Sequence, residues 1–284
     1  MTVTTVDAFT DRPFAGNPAA VVVLEREAPE RWMRALAAEM NLSETAFLVP
    51  GGEAWALRWF TPSVEIDLCG HATLAAAHVL FETGRVAPGG TARFDTRSGR
   101  LTVAQEGDRL AMDFPATPPE PAQPPAALAE ALGAWPVWTG RSRFDWFAVL
   151  PSALDVRALD PDHGRLAALP GVAGQARARG VIVTAQAEAG EDLDVVSRFF
   201  APGAGVPEDP VTGSAHCAIG PYWAGRLKRD TLHCQQASAR GGTLEVRLRG
   251  DRVDLVGHAV TTYVAELTDA ARPRAWDARR RASV

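Results

Sequence analysis

Arg58-Trp59-Phe60-Thr61-Pro62 is followed by Cys69-Gly70-His71-Ala72, and Arg198-Phe199-Phe200-Ala201-Pro202 is followed by Thr212-Gly213-Ser214-Ala215. This pair of stretches decides the fold. Arg58 and Arg198, Phe60 and Phe200, and Pro62 and Pro202 are each 140 positions apart, while Gly70 and Gly213 are 143 apart, so the second loop holds three more residues. Each copy reads as a strand, a proline-containing loop, a glycine and then a helix that is apolar on almost every face. The helices run from Gly70 to Glu82 and from Gly213 to about Leu227. A helix with so little polar surface has to be wrapped by other structure. Two such helices, entered in the same way, indicate a duplicated fold.

Working outward, the first half is strand-rich. Val3 to Phe9 alternates, Ala19 to Leu24 is a short apolar run, and Ala56 to Phe60 alternates again. Thr91 to Asp95, Leu101 to Gln105 and Arg109 to Phe114 follow as strands separated by Ser-Gly and Gly-Asp turns. A helix from Pro29 to Met40 carries Trp32, Leu36 and Met40 on one face. In the second half, strands are predicted at Trp146 to Leu150, Gly180 to Thr184, Asp194 to Phe200, Thr243 to Arg249 and Arg252 to Val256. Between the halves, Phe114 to Pro125 has six prolines in twelve residues, which suits neither a helix nor a central strand and predicts a stiff, extended linker. The expected domains are therefore 1–116 and 126–268, the last strand of the second being free to return to the first, with a basic tail at 269–284. Its cluster, Arg272 to Arg281, reads as a frayed, solvated end.

Composition removes several classes of function. The chain has 284 residues, enough for two domains of roughly 100–150 residues each. No stretch approaches the roughly 18 apolar residues of a membrane span. No basic and apolar leader precedes Val3, so a cytoplasmic protein is expected. A net charge of −5 argues against a nucleic-acid partner, which needs a clustered basic face. Cys69, Cys217 and Cys234 are an odd number without CxxC spacing, which fits a reducing compartment and speaks against structural zinc. HExxH, GxGxxG and P-loop patterns are absent, and Gly241-Gly242 reads as a turn, so neither a metal nor a nucleotide cofactor is expected.

The two helix starts carry the chemistry. A helix N-terminus offers unpaired N–H groups and positive potential, and a glycine lets a ligand come close to the backbone. Gly70 with His71, and Gly213 with Ser214, place a glycine and a polar side chain at such a point. Facing each other across a cleft, they would bind a carboxylate. Alternatively, His71 and Ser214 serve as helix caps. Glu44, flanked by Leu42 and Phe47, has the partly desolvated setting of a general base; the other reading is a turn and cap. Asp209, just before the second helix, can cap it, orient His71 or act as a second acid. A Ser214–His71–Asp209 triad is a further reading, but the Gly-x-Ser-x-Gly elbow of such hydrolases is missing.

Val6-Asp7-Ala8-Phe9, Phe14-Ala15-Gly16-Asn17-Pro18, Asn41-Leu42-Ser43-Glu44-Thr45, Phe60-Thr61-Pro62, Cys69-Gly70-His71-Ala72-Thr73 and Glu208-Asp209-Pro210-Val211-Thr212-Gly213-Ser214-Ala215-His216 together resemble the PhzF-like phenazine-biosynthesis proteins. The likeness spans about residues 3 to 266. It implies an α/β (α+β) architecture of two pseudo-symmetric domains with the diaminopimelate-epimerase fold, each a curved, barrel-like sheet around a central helix. It also implies a homodimer without cofactor. The residue matching Glu44 moves a proton between carbons of a dihydro-hydroxyanthranilate in the family's phenazine enzyme, and residues matching Asn17, His71, Asp209 and Ser214 line that site. Epimerases and racemases of this fold carry a cysteine before the glycine in both halves. Here Cys69 stands opposite Thr212, which argues against a two-thiol racemase.

The resulting expectation is a cofactor-independent isomerase acting on a small carboxylate-bearing metabolite. Glu44, His71 and Asp209 are its catalytic candidates, and Asn17, Gly70, Gly213 and Ser214 its substrate-binding ones. An epimerase or racemase, or a non-catalytic binder of small acids, is the alternative.

Overall fold

The computed structural model describes residues 1–172 and 178–273. One structural unit comprises Met1–Met112 together with Gly257 onward, and a second comprises Asp113–Val256.

In chain order the first unit begins with β1 (Thr2–Ala8), β2 (Asn17–Val23), α1 (Glu30–Met40), β3 (Glu44–Pro50) and β4 (Trp55–Phe60). It continues with β5 (Glu65–Ile66), α2 (Gly70–Glu82), β6 (Thr91–Thr96), β7 (Gly99–Glu106) and β8 (Arg109–Pro115). β2 pairs parallel with β3, and both are buried along most of their length, so they read as apolar runs rather than alternating strands. α2 is rich in alanine because the sheet closes tightly round it, touching it from β1, β2, β3 and β7. On the outer side, α1 lays Trp32, Met33, Leu36 and Ala37 against the sheet. There Trp32 meets Phe47 edge-on at 5.9 Å, and Phe47 meets Phe60 at 5.6 Å. Such pairs add about 0.5–1.5 kcal/mol each beyond burial.

The second unit opens with β9 (Glu120–Pro121), α3 (Ala127–Leu132), β10 (Trp138–Arg141), β11 (Trp146–Val149), α4 (Ala153–Arg157) and α5 (His163–Ala167). Then come β12 (Val181–Gln186), β13 (Val195–Phe200), α6 (Gly213–Leu227), β14 (Thr231–Gln236), β15 (Gly242–Arg249) and β16 (Arg252–Gly257). α6 is its central helix. Tyr222 packs on Trp138 and Phe147 with ring centres 4.7 and 5.0 Å away, and the Trp223 indole N–H donates to Thr184 Oγ1 at 3.1 Å.

The pairing repeats between the units. β1–β2 and β10–β11 are antiparallel, β2–β3 and β11–β12 parallel, and β3–β4 and β12–β13 antiparallel. β4–β6 and β13–β14 are parallel, and two antiparallel pairings follow in each copy. Even the ion pairs repeat. Arg58 grips Glu65 with Nε and Nη2, both at 2.7 Å, while Arg198 grips Glu208 at 2.7 and 2.9 Å. Each guanidinium lies over the phenylalanine two residues on, at 5.2 Å for Phe60 and 4.8 Å for Phe200.

Three features sharpen the sequence reading. The proline-rich stretch is extended, yet it is tied down rather than free. Pro221 lies inside α6 and has no N–H to offer the Cys217 carbonyl; the Thr117 N–H donates to that carbonyl instead, at 2.9 Å. The Ala116 N–H donates to the Asp251 carbonyl at 2.8 Å, and β9 pairs with β10. Second, the last strand, β17 (Ala259–Glu266), runs antiparallel to β1 within the first unit, the return that the sequence reading left open. Third, the start of the expected tail is docked: Asp269–Ala271 forms a 3-10 turn whose Ala271 carbonyl accepts the Trp32 indole N–H at 2.8 Å. Residues 274–284, which include most of the basic cluster, lie outside the described residues.

Candidate active site

Three chain ends converge in the first unit. α1 stops at Asn41, whose left-handed backbone (φ 49°) turns the chain so that Glu44 opens β3. Gly16 (φ 62°) precedes Asn17, the first residue of β2. A side chain at Gly16 would put its Cβ 2.2 Å from the Ala8 carbonyl oxygen, so only glycine fits there. Cys69 takes the extended N-cap conformation before α2, which leaves His71 in the first helical turn. Neither Cys69 nor its counterpart Thr212 makes a side-chain cap bond, so His71 and Ser214 sit inside their helices rather than capping them.

These elements bring together Asn17, Glu44, Cys69 and His71. His71 Nε2 lies 3.1 Å from Glu44 Oε2. The two atoms are at ion-pair distance but out of hydrogen-bond alignment, and both are buried without another hydrogen-bond partner. On the other side of the ring, His71 Nδ1 is 3.1 Å from Asn17 Nδ2 and 3.5 Å from Cys69 Sγ. The Asn17 amide N–H points at Nδ1, so a neutral ring carries its proton on Nε2; a charged ring carries one there too. Either way, the nitrogen nearest Glu44 carries a proton. Burial works against a charged His71, but the Cys69 sulfur and the Glu44 carboxylate outweigh it and hold its pKa well above the ordinary value. Burial, helped by the Glu44 charge, pushes the Cys69 thiol up to about 11. At neutral pH Cys69 is therefore a thiol. A carboxylate next to a buried proton donor is a general acid–base pair.

The second unit holds the other candidates. The Thr212 hydroxyl donates to the Asp209 carboxylate, and Gln236 locks both, donating to the Asp209 carbonyl at 2.6 Å and accepting the Thr212 N–H at 2.8 Å. Ser214 Oγ accepts a hydrogen bond from Arg179 Nη2 at 3.1 Å. Arg179 in turn is held by both oxygens of Asp145, which is 1% exposed, and lies over the rings of Phe144 and Phe199 at 5.2 and 5.3 Å. A guanidinium cannot take a proton from Ser214, which removes the basis for a hydrolase triad.

The duplicated register shows how the copies diverged. Thr45 opposes Phe60 in the first copy as Val181 opposes Phe200 in the second. Glu44 therefore corresponds to Gly180. A Cβ on Gly180 would stand 2.5 Å from the Phe200 carbonyl oxygen, so the second copy has no room for an acid there. Its neighbour Arg179 reaches the helix start instead. One copy pairs a carboxylate with an imidazole, and the other pairs a guanidinium with a hydroxyl.

Of the residues singled out in sequence, the structure brings Asn17, Glu44, Gly70 and His71 together in the first unit and Asp209, Gly213 and Ser214 together in the second, and it adds Arg179, Asp145 and Gln236 as neighbours that sequence reasoning did not name. Aligning Gly180 with Glu44 was the available signal. Glu44, Cys69 and His71 also offer one metal-ligating atom each, all within 4.8 Å of one another. Among the described residues, no helix is long and apolar enough to cross a membrane.

Comparison with known proteins agrees with this architecture. The family model described as phenazine biosynthesis-like protein matches residues 6–265. A Pseudomonas aeruginosa protein named as an uncharacterised isomerase is 54% identical over 255 residues, covering 90% of this chain and 94% of its own. A phenazine biosynthesis PhzF-family protein of Enterococcus faecalis superposes with a TM-score of 0.87 at 42% identity, covering 94% of this chain and 98% of its own. A probable proline racemase from Agrobacterium radiobacter, 13% identical with a TM-score of 0.62, covers 96% of this chain and 95% of its own and shares the fold alone. The expected architecture, an epimerase-like α/β fold of two similar domains, is borne out.

Proposed function

The chain belongs to the phenazine biosynthesis-like family and is an isomerase, and on that premise we propose that it shifts a proton between carbons of a small carboxylate-bearing metabolite, with Glu44 as the proton carrier. The 3.1 Å contact between Glu44 Oε2 and His71 Nε2 carries this reading. Glu44 removes a proton from an acidic carbon and returns it to another. His71 presents its Nε2 proton to Glu44 and stabilises the carboxylate before the first transfer and after the second. Asn17 holds the ring at Nδ1, so the proton stays on the Glu44 side. A positioned general base supplies about 10²–10⁴-fold of rate. Donor and acceptor are both side chains of this chain, so the reaction is written without a cofactor.

In this reading Gly70 and Gly213 supply backbone N–H groups for developing negative charge. Arg179 and Ser214 recognise the substrate's carboxylate, and Asp209 assists proton transfer. The planar guanidinium, pre-oriented by Asp145, is the group best suited to a carboxylate. The absence of an acid at Gly180 supports a one-base proton shift over a two-base racemisation. Homodimeric assembly and a cytoplasmic location complete the proposal; light scattering and cell fractionation test them. The role of Glu44 is tested by deuterium uptake from D₂O into small unsaturated carboxylates, with Glu44→Gln as comparison. Equal uptake by the variant sinks it.

A further inference from the structure

The Glu44–Cys69–His71 cluster has a property that proton transfer does not require. Its three side chains offer oxygen, sulfur and nitrogen donors, the mixed set that suits zinc and related thiophilic ions. The donors are already close: with one atom taken from each residue, the oxygen, sulfur and nitrogen all lie within 4.8 Å of one another. Tetrahedral zinc, with bonds of about 2.0–2.3 Å, sets its ligands roughly 3.3–3.7 Å apart, so small side-chain rotations suffice. Two buried polar atoms, Glu44 Oε2 and His71 Nε2, lack hydrogen-bond partners, so the oxygen offers a free lone pair and the nitrogen offers one once its proton is displaced. Charge also fits: a dication against one carboxylate and one thiolate is neutral, whereas a buried unpaired charge is costly. Thr212, Ser214 and Gly180 at the equivalent positions of the second copy provide no such set.

We propose that Glu44, Cys69 and His71 form a binding site for a thiophilic divalent cation of the zinc class, and that the bound ion inhibits the enzyme by occupying the Glu44 carboxylate. The ion displaces the Cys69 thiol proton to solvent as the metal–sulfur bond forms, replaces the proton on His71 Nε2, which leaves the charged ring for solvent and makes it neutral, and keeps a fourth position for water. The inhibition rests on the role proposed above for Glu44; the binding does not.

The test uses untagged, chelator-treated protein. Zn²⁺ is titrated against a chromophoric chelator, and Co²⁺ is followed by its thiolate charge-transfer absorption. The expected result is one tightly bound equivalent and a cobalt–thiolate band in the wild type. That band is retained in Cys217→Ser and Cys234→Ser, and absent in Cys69→Ser, with zinc affinity at least about tenfold weaker in Cys69→Ser, Glu44→Gln and His71→Asn. The wild-type band needs no variant to fold. No stoichiometric zinc, or a band that survives Cys69→Ser, overturns the site. Zinc bound at one equivalent with undiminished proton exchange overturns the inhibition and counts against Glu44 as proton carrier. Failure to bind zinc, with Glu44→Gln still inactive, overturns the metal site alone.

Discussion

Glu44 and Gly180 are equivalent residues of two copies of one fold, fixed by the matching registers Thr45–Phe60 and Val181–Phe200. One carries the proposed proton-transferring group. The other is crowded against the Phe200 carbonyl oxygen, so that even a methyl group forces its neighbours to shift. The duplication thus supplies two similar scaffolds, and only one of them has room for an acid at this position.

The steric half of that statement is testable by stability. Gly180→Ala places a methyl 2.5 Å from the Phe200 carbonyl oxygen and 2.7 Å from the Phe199 ring. Overpacking of this kind costs about 1–3 kcal/mol, read from urea unfolding. An unchanged midpoint contradicts it.

Arg179 and Asp145 are separated from the opposing explanation, simple packing, by a double-mutant cycle. Arg179→Met strands a carboxylate that is 1% exposed. Removing one partner of a fully buried pair costs about 3–5 kcal/mol; with Arg179 34% exposed, about 2–3 kcal/mol is expected. Arg179→Met combined with Asp145→Asn should recover most of that loss while still binding carboxylates poorly. Additive losses would show that the two side chains do not act as a pair.

His216 gives a pH signature. It is completely buried, its Nδ1–H donates to the Thr212 carbonyl at 2.8 Å, and burial lowers its pKa to about 4 against an ordinary 6.5. A depressed folded-state value means the unfolded chain binds the proton first. Stability from this group is complete above pH 6.5 and declines as pH falls from 6.5 towards 4. The loss is on the order of 3 kcal/mol over that window. His216→Gln should flatten this part of the stability curve, and an unaltered slope would refute the assignment.

The parts of the fold that were legible in sequence are those with strong local physics. α2 and α6 begin at Gly70 and Gly213 and end at Glu82 and Leu227, as read, because an apolar run after a glycine admits few alternatives. β14 was missed because its last inward residue is Gln236, a buried polar side chain that looks like loop until its bonds to Asp209 and Thr212 are known. A last strand free to return to the first domain was allowed for, but the bounds of β17 were not, because its second half, Tyr263 to Glu266, is exposed and lacks an apolar face. Proline chemistry correctly gave an extended stretch at Phe114 to Pro125, but not the orphaned Cys217 carbonyl that anchors it. In the site, Glu44 and His71 stood out through motif. Arg179 did not, because its partners Asp145 and Ser214 are 34 and 35 positions away and no local pattern links them.

The most direct test of the account is deuterium wash-in from D₂O, followed by proton NMR, into the small carboxylate that the wild-type enzyme exchanges. Glu44→Gln keeps the shape of the site and removes its proton carrier. We expect the variant to fold normally and to exchange at least about a hundredfold more slowly. Wild-type exchange by Glu44→Gln would show that another group moves the proton.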